Sequence, residues 1–154
     1  MGADLGNYPE LPQDTGNEGL NAALIKAVQE CREKEIRFRY VVMGRPDRID
    51  SMDMGTLLYN LLSNGIEACM AVETERELEL VVREEDGRTE IFMENTISGS
   101  VMKNNPNLES RKLDKRYHGF GMESIRGIIG KYQGHYSYRE ESGRFIQEID
   151  LRDG

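Results

Sequence analysis

Within the stretch MGTLLYNLLSNGIEACMA, Asn60, Asn64 and Glu67 stand at i, i+4 and i+7, the spacing that aligns side chains along one face of a helix. At about 100° per residue, Leu58, Leu61, Leu62 and Cys69 gather on the other side. One face can therefore pack while a carboxamide stripe looks outward. Asparagine is a poor helix former, and exposed helix positions usually carry Glu, Lys or Gln. Two asparagines one turn apart, beside Gly65, are locally unfavourable. Taken alone the stripe also fits an ordinary amphipathic helix, but side-chain amide oxygens are hard neutral ligands. They suit a Mg²⁺ ion that keeps several waters and also binds phosphates. Gly65 costs about 1 kcal/mol relative to Ala in a helix interior, yet it lets a flat ligand approach the backbone.

A second cluster lies in YHGFGMESI, residues 117–125. Met122, Ile125, Ile128, Ile129 and Tyr132 recur at helical spacing, which predicts a helix over about 121–132 and puts Gly119 and Gly121 at its N-terminus. Unpaired N–H groups and the positive end of the helix dipole attract anions there, and glycine lets the backbone itself reach a phosphate. Just upstream, RKLDKRYH sets Arg111, Lys112, Lys115 and Arg116 against Asp114. By itself that run reads as a solvated charged loop. A third element is Asn95 in EIFMENTISG, where a strand gives way to a loop. It reads first as a turn residue, though its amide oxygen can also accept from the exocyclic amine of an adenine. Anion cradle, cations and Mg²⁺ ligands together describe a nucleoside triphosphate site.

Several elements must position these groups. Residues 1–14 are polar and rich in Gly, Pro and Asp, and read as a tail ahead of one domain over 15–154. Thr15 or Asn17 can cap a helix over 18–34, since Leu20, Ala23, Leu24, Ala27, Val28 and Cys31 keep helical spacing. IRFRYVV alternates as a half-buried strand, and Asp50 or Ser51 can cap the long helix over 52–73. Asp86-Gly87 supplies the positive φ angles of a tight hairpin between two alternating runs, and Ser142-Gly143 turns a second hairpin. From Thr96 to Tyr117 periodicity disappears, and a loop of that length tends to be a lid. Strands joined mainly as hairpins, with helices on one face, predict a two-layer α+β sandwich.

Composition narrows the function. The chain has 154 residues and a net charge of −8, which argues against nucleic acid as a partner. No apolar run approaches the roughly 20 residues that span a bilayer, and the start lacks the features of a signal peptide. Cys31 and Cys69 each sit among apolar neighbours in a helical pattern, which suits buried free thiols in a reducing, cytoplasmic compartment.

With these elements in order, the sequence resembles the ATP-binding catalytic domain of sensor histidine kinases, which share the Bergerat (GHKL) fold with gyrase B, the Hsp90 chaperone and the MutL repair protein. NLLSNGIEAC resembles the family's N-box, and YHGFGMESI its G2 box. DTGNEGLNAAL and KYQGHYSY resemble segments that open and close the domain in the quorum-sensing, peptide-receptor subgroup. The likeness covers about residues 15–151. It implies a mixed sheet covered on one face by three helices, with an ATP lid over Thr96–Tyr117. It implies ATP and Mg²⁺ as ligands, with Asn64 holding the metal and Asn60 beside the phosphates. Asn95 takes the place of an adenine-reading Asp. Gly99, Lys115, Arg116, His118, Gly119, Phe120, Gly121 and Met122 border the nucleotide. The chain departs from the family pattern in lacking the D-x-G-x-G box: it reads N-T-I-S-G from Asn95 and keeps Gly99 in register. Ser63 stands where Asp is common and Gly65 where Ala is common.

Hydrolysing relatives carry a Glu in the place of Asn60. An amide has no basic lone pair at neutral pH and cannot serve as general base. The expectation is negligible hydrolysis and a kinase-type reaction, which relies on positioning and charge neutralisation. The phosphoacceptor is then a histidine on a helical-hairpin dimerisation domain of the parent kinase, because His118 and His135 are expected to lie off helices. That makes the chain the cytoplasmic catalytic part of a membrane-anchored sensor, with a response regulator downstream and no membrane contact of its own. Two rivals share the resemblance: a serine kinase of the anti-sigma-factor type, and a degenerate module that works by protein contact.

Overall fold

The computed structural model describes residues 13–99 and 115–152, and of residues 115–120 it describes the backbone alone. Asn17 starts helix α1 (Glu18–Glu33): its side-chain oxygen accepts from the Leu20 N–H at 3.1 Å, satisfying a donor the helix cannot satisfy itself. Leu20, Leu24, Ala27, Val28 and Cys31 form its buried face. Strand β1 (Arg37–Met43) follows. Asp50 caps helix α2 (Ser51–Met70), accepting from the N–H groups of Met52 at 3.0 Å and Asp53 at 3.1 Å. Strands β2 (Glu77–Glu85) and β3 (Arg88–Thr96) form a hairpin. Its turn residues Asp86 and Gly87 have φ of 52° and 75°, the left-handed values that match strand twist. Helix α3 (Lys115–Lys131) leads to β4 (His135–Glu141) and β5 (Arg144–Arg152), joined by Ser142 and Gly143 at φ of 50° and 77°.

The sheet order is β1-β2-β3-β5-β4, with β1 parallel to β2 and all other pairs antiparallel. The three helices lie on one face, over Phe38, Leu78, Leu80, Val82, Ile91, Met93, Ile149 and Leu151. Strand alternation sends the intervening residues to the opposite face. There arginines and carboxylates pair across strands, as in Arg37–Glu77, Arg83–Glu90 and Arg139–Glu148. The two-layer α+β reading holds, and both cysteines are buried and free.

Three expectations need correction. Helix α3 begins at Lys115 rather than near 121, so Gly119 and Gly121 lie inside its first turns instead of ahead of it. His118 therefore lies on a helix, while His135 starts a strand as expected. Glycine's helix cost of about 1 kcal/mol argues for a boundary, but helix propagates readily once packing holds the rest. Thr96 is the last residue of β3 and Lys115–Tyr117 are helical. The expected lid is thus trimmed at both ends, and its middle, 100–114, lies outside the described residues with Arg111, Lys112 and Asp114.

Candidate functional site

Helix α2 buries Leu57, Leu58, Leu61, Leu62, Gly65, Ile66 and Cys69, which turns Asn60 and Asn64 away from the sheet. They do not face open solvent, since α3 runs beside them. The Asn60 Nδ2 donates to the Thr56 carbonyl at 2.8 Å, which commits the donor half of the amide and leaves its oxygen toward α3. A Cβ built on Gly121 would stand 3.3 Å from that oxygen. One turn on, the Asn64 Nδ2 lies 3.9 Å from the Met122 Sδ, a weak contact at best. Glu67, the third residue of the stripe, is exposed. The two asparagines and the Gly121–Met122 step thus meet between antiparallel helices.

Asn95 arrives from the sheet. It sits on the helix-facing side of β3, 1% exposed, in register with Leu78 of β2 and Phe145 of β5. Its Nδ2 donates to the Thr96 carbonyl at 3.1 Å. Its oxygen lies 3.6 Å from a Cβ built on Gly65, so the end of β3 comes up under α2 next to Asn64. Gly65 itself faces Leu78 and Met93, where a Cβ would stand 2.9 and 3.2 Å from their side chains. That position is therefore glycine for packing on the sheet, a role separate from the ligand approach expected of it. Gly99 has φ of 85°, and among the described residues nothing lies within 4 Å of a Cβ built there. Before it, Ile97 donates to the Gly143 carbonyl at 3.0 Å, so the chain leaves the sheet past Ile97. The side chains of Lys115, Arg116, His118 and Phe120 lie outside the described residues, as does any side-chain geometry at Gly119.

Residues that the sequence reading left without a role surround the start of α2. Tyr132 Oη donates to Asp53 Oδ2 at 2.6 Å and accepts from the Asp50 N–H at 3.2 Å, and Lys131 Nζ donates to the same Asp53 oxygen at 2.7 Å. The Lys131 ammonium first, then the Tyr132 hydroxyl, hold the Asp53 carboxyl below the usual carboxylate range. Burial first, then the hydrogen bond to Asp53, pushes the Tyr132 hydroxyl up. From the other side, Asn17, 2% exposed, donates through Nδ2 to the carbonyls of Pro46 at 2.9 Å and Ile49 at 2.8 Å. The sequence offers Asn17 as a cap and Tyr132 as a helical position, and neither reading reaches these long-range bonds.

An open depression on the far face of the sheet, lined in part by Met43, Val81, Phe92 and His135, competes for attention. Arg83 pairs there with Glu85 and Glu90, and His135 Nδ1 lies 3.4 Å from Asp150 Oδ1. None of the asparagines or the Gly121 step reaches it. Among the described residues no group of three or more His, Cys, Asp or Glu forms a metal cluster, and no helix is long and apolar enough to cross a membrane.

The GHKL domain family matches residues 49–152. No curated protein matches the chain. Among solved structures, the nucleotide-free catalytic domain of the histidine kinase ThkA is similar with a TM-score of 0.70 at 15% identity, over 94% of this chain and 97% of that one. A histidine kinase domain from the blue-light activated kinase of Erythrobacter litoralis EL346 gives 0.63 at 14% identity, over 97% and 67%. Full-length ShkA in complex with AMPPNP gives 0.66 at 18% identity, over 97% of this chain and 33% of that one. At such identities the likeness is one of fold: the five-stranded mixed sheet under three helices is the Bergerat arrangement of histidine kinase catalytic domains.

Proposed function

The chain belongs to the GHKL domain family, and on that premise we propose that it binds Mg-ATP between α2, the end of β3 and the start of α3. In this reading it serves as the catalytic domain of a two-component sensor histidine kinase, and the accepting histidine is carried on a helical-hairpin domain outside this chain. The observation that carries the reading is the Asn60–Gly121 contact. A carboxamide oxygen, beside an Nδ2 that donates to the Thr56 carbonyl, faces a backbone position with no side chain, and a second asparagine follows one turn on.

The donor set fits a magnesium nucleotide. Asn64 would hold the metal through its amide oxygen, because its only described partner is a distant thioether. Bound there, Mg²⁺ would offset charge on the phosphates. Asn60 would orient the phosphates beside Gly121. Asn95 would accept from the adenine amine through the oxygen left by its Thr96 bond. Gly99, Lys115, Arg116, His118, Gly119, Phe120 and Met122 complete the proposed binding set. In the transfer, the bond between the γ-phosphorus and its bridging oxygen breaks, a bond to an imidazole nitrogen forms, and ADP leaves. Asn60 cannot take a proton from water, so the site favours transfer to a positioned acceptor over hydrolysis.

The test supplies γ-labelled ATP to the chain, alone and with the hairpin domain. Acid-labile label on the hairpin, with none on the chain and little free phosphate, is the expected result. Acid-stable label on a partner protein would favour a serine kinase, and label on the chain itself would contradict the reading.

A further inference from the structure

The peptide unit between Ile49 and Asp50 is held at both of its polar ends by side chains from distant parts of the chain. Its carbonyl accepts from Asn17 Nδ2 at 2.8 Å, and its N–H donates to Tyr132 Oη at 3.2 Å. Asp50 is also the cap of α2. The DTGN segment ahead of α1 and the KYQG segment at the end of α3 thus converge on one peptide, directly before the helix that carries Asn60 and Asn64.

Each half of this grip is itself braced. Thr15 Oγ1 donates to Asn21 Oδ1 at 2.7 Å and accepts from the Asn17 N–H at 3.2 Å, which fixes the loop that presents Asn17. On the other side, Asp53 receives both Tyr132 and Lys131. Helices α2 and α3 run antiparallel, so Asp53 meets Tyr132 at one end of the pair and Asn64 meets Met122 at the other. From Asp53 to Asn64, and from Met122 to Tyr132, the axial distance is about 15–17 Å. At the Asn60–Gly121 end, contact is a glycine against an amide and a 3.9 Å N···S approach. Those contacts tolerate sliding. The short charged and hydroxyl bonds at the Asp53 end do not.

We propose that Asn17, Asp53, Lys131 and Tyr132 are positioning residues: Asn17 and Tyr132 clamp the Ile49–Asp50 peptide, Asp53 and Lys131 brace that grip, and together they set the height of α2 against α3 at the nucleotide face. The inference rests on the nucleotide reading for its functional consequence, but the clamp itself can be tested without ligand.

The experiment uses the whole chain with Tyr132→Phe, which keeps the ring and removes the hydroxyl, and Lys131→Met, whose side chain is largely exposed. Tyr136→Phe is the control: it loses a hydrogen bond to Gln147, 2.5 Å long, away from α2. Amide resonances of Asn60, Asn64 and Gly121 are recorded without nucleotide, and Kd for Mg-ADP is measured by titration. Expected are shifted resonances at those three positions, with Kd raised roughly 3- to 30-fold in both clamp variants. Tyr136→Phe should leave both readouts unchanged. Lys131→Arg should restore binding. Unchanged resonances in the clamp variants would overturn the proposal, as would an unchanged Kd. If the parent chain binds no nucleotide while Tyr132→Phe still shifts the Asn60 and Gly121 amides, the clamp stands and the nucleotide reading falls.

Discussion

The Asn60 side-chain oxygen and the α-carbon of Gly121 face each other so closely that a Cβ at residue 121 would come within 3.3 Å of the oxygen. That spacing is tight but not a clash. Gly121 lies in a helix, where Ala is favoured over Gly by about 1 kcal/mol. Gly121→Ala should therefore leave the ligand-free Tm unchanged or raised, while filling the space beside the Asn60 oxygen and weakening Mg-nucleotide binding by about tenfold, or 1.4 kcal/mol. Calorimetric titration beside a thermal melt checks both signs. A lowered Tm with unchanged Kd would make Gly121 a packing residue.

Gly19 and Gly127 offer a paired test of packing. A Cβ at Gly19 would stand 1.9 Å from the Ser51 carbonyl oxygen and 2.6 Å from the Gly55 nitrogen, so α1 and α2 cross with backbones nearly touching. At Gly127, within α3, a Cβ would meet nothing beyond its own helix within 4 Å among the described residues. Gly127→Ala should stabilise by about 0.5–1 kcal/mol, whereas Gly19→Ala should cost about 3 kcal/mol or more. Denaturant unfolding of the two variants measures the contrast.

Much of this architecture is legible in the sequence because its signals are local. Thr15 or Asn17 and Asp50 or Ser51 mark the helix starts, of which the structure uses Asn17 and Asp50, and Asp86-Gly87 and Ser142-Gly143 read as hairpin turns. Asn60 and Asn64 stand out because a helix gains nothing from them. What escapes is long-range. Asn17 and Tyr132 reach the same peptide from 115 residues apart, and no spacing rule encodes that. The start of α3 was misjudged because glycine content speaks only to the local cost, and the buried face of Met122, Ile125 and Ile129 outweighs it.

Stability at low pH should report Asp53 and Glu77. Lys131 holds the first carboxyl below its ordinary value, and Arg144 the second. A carboxylate depressed in the folded state stabilises it above the unfolded pKa, and that contribution is lost as pH falls through the folded value. Asp53→Asn should lower stability at neutral pH and flatten the loss below about pH 4. Equilibrium unfolding between pH 7 and pH 3 gives the comparison.

At the alkaline end, burial pushes the Cys31 thiol up to about 12. Above the unfolded thiol value of about 8.5, the unfolded chain loses a proton that the folded chain keeps, so stability should fall as pH rises. Folded protein at pH 8 should accordingly resist thiol reagents at Cys31, and denatured protein should react at once. Fast labelling of Cys31 in the native state would contradict its placement in the core.

The most direct test of the central claim is the Tm of the chain with ADP or ATP, first with Mg²⁺ and then with EDTA. Nucleotide at 100 times its Kd should add about 2.7 kcal/mol, a rise of roughly 5–10 °C for a domain of this size. Expected are that rise, its loss in EDTA, and its absence in Asn64→Ala. No shift at millimolar nucleotide with Mg²⁺ present would contradict it.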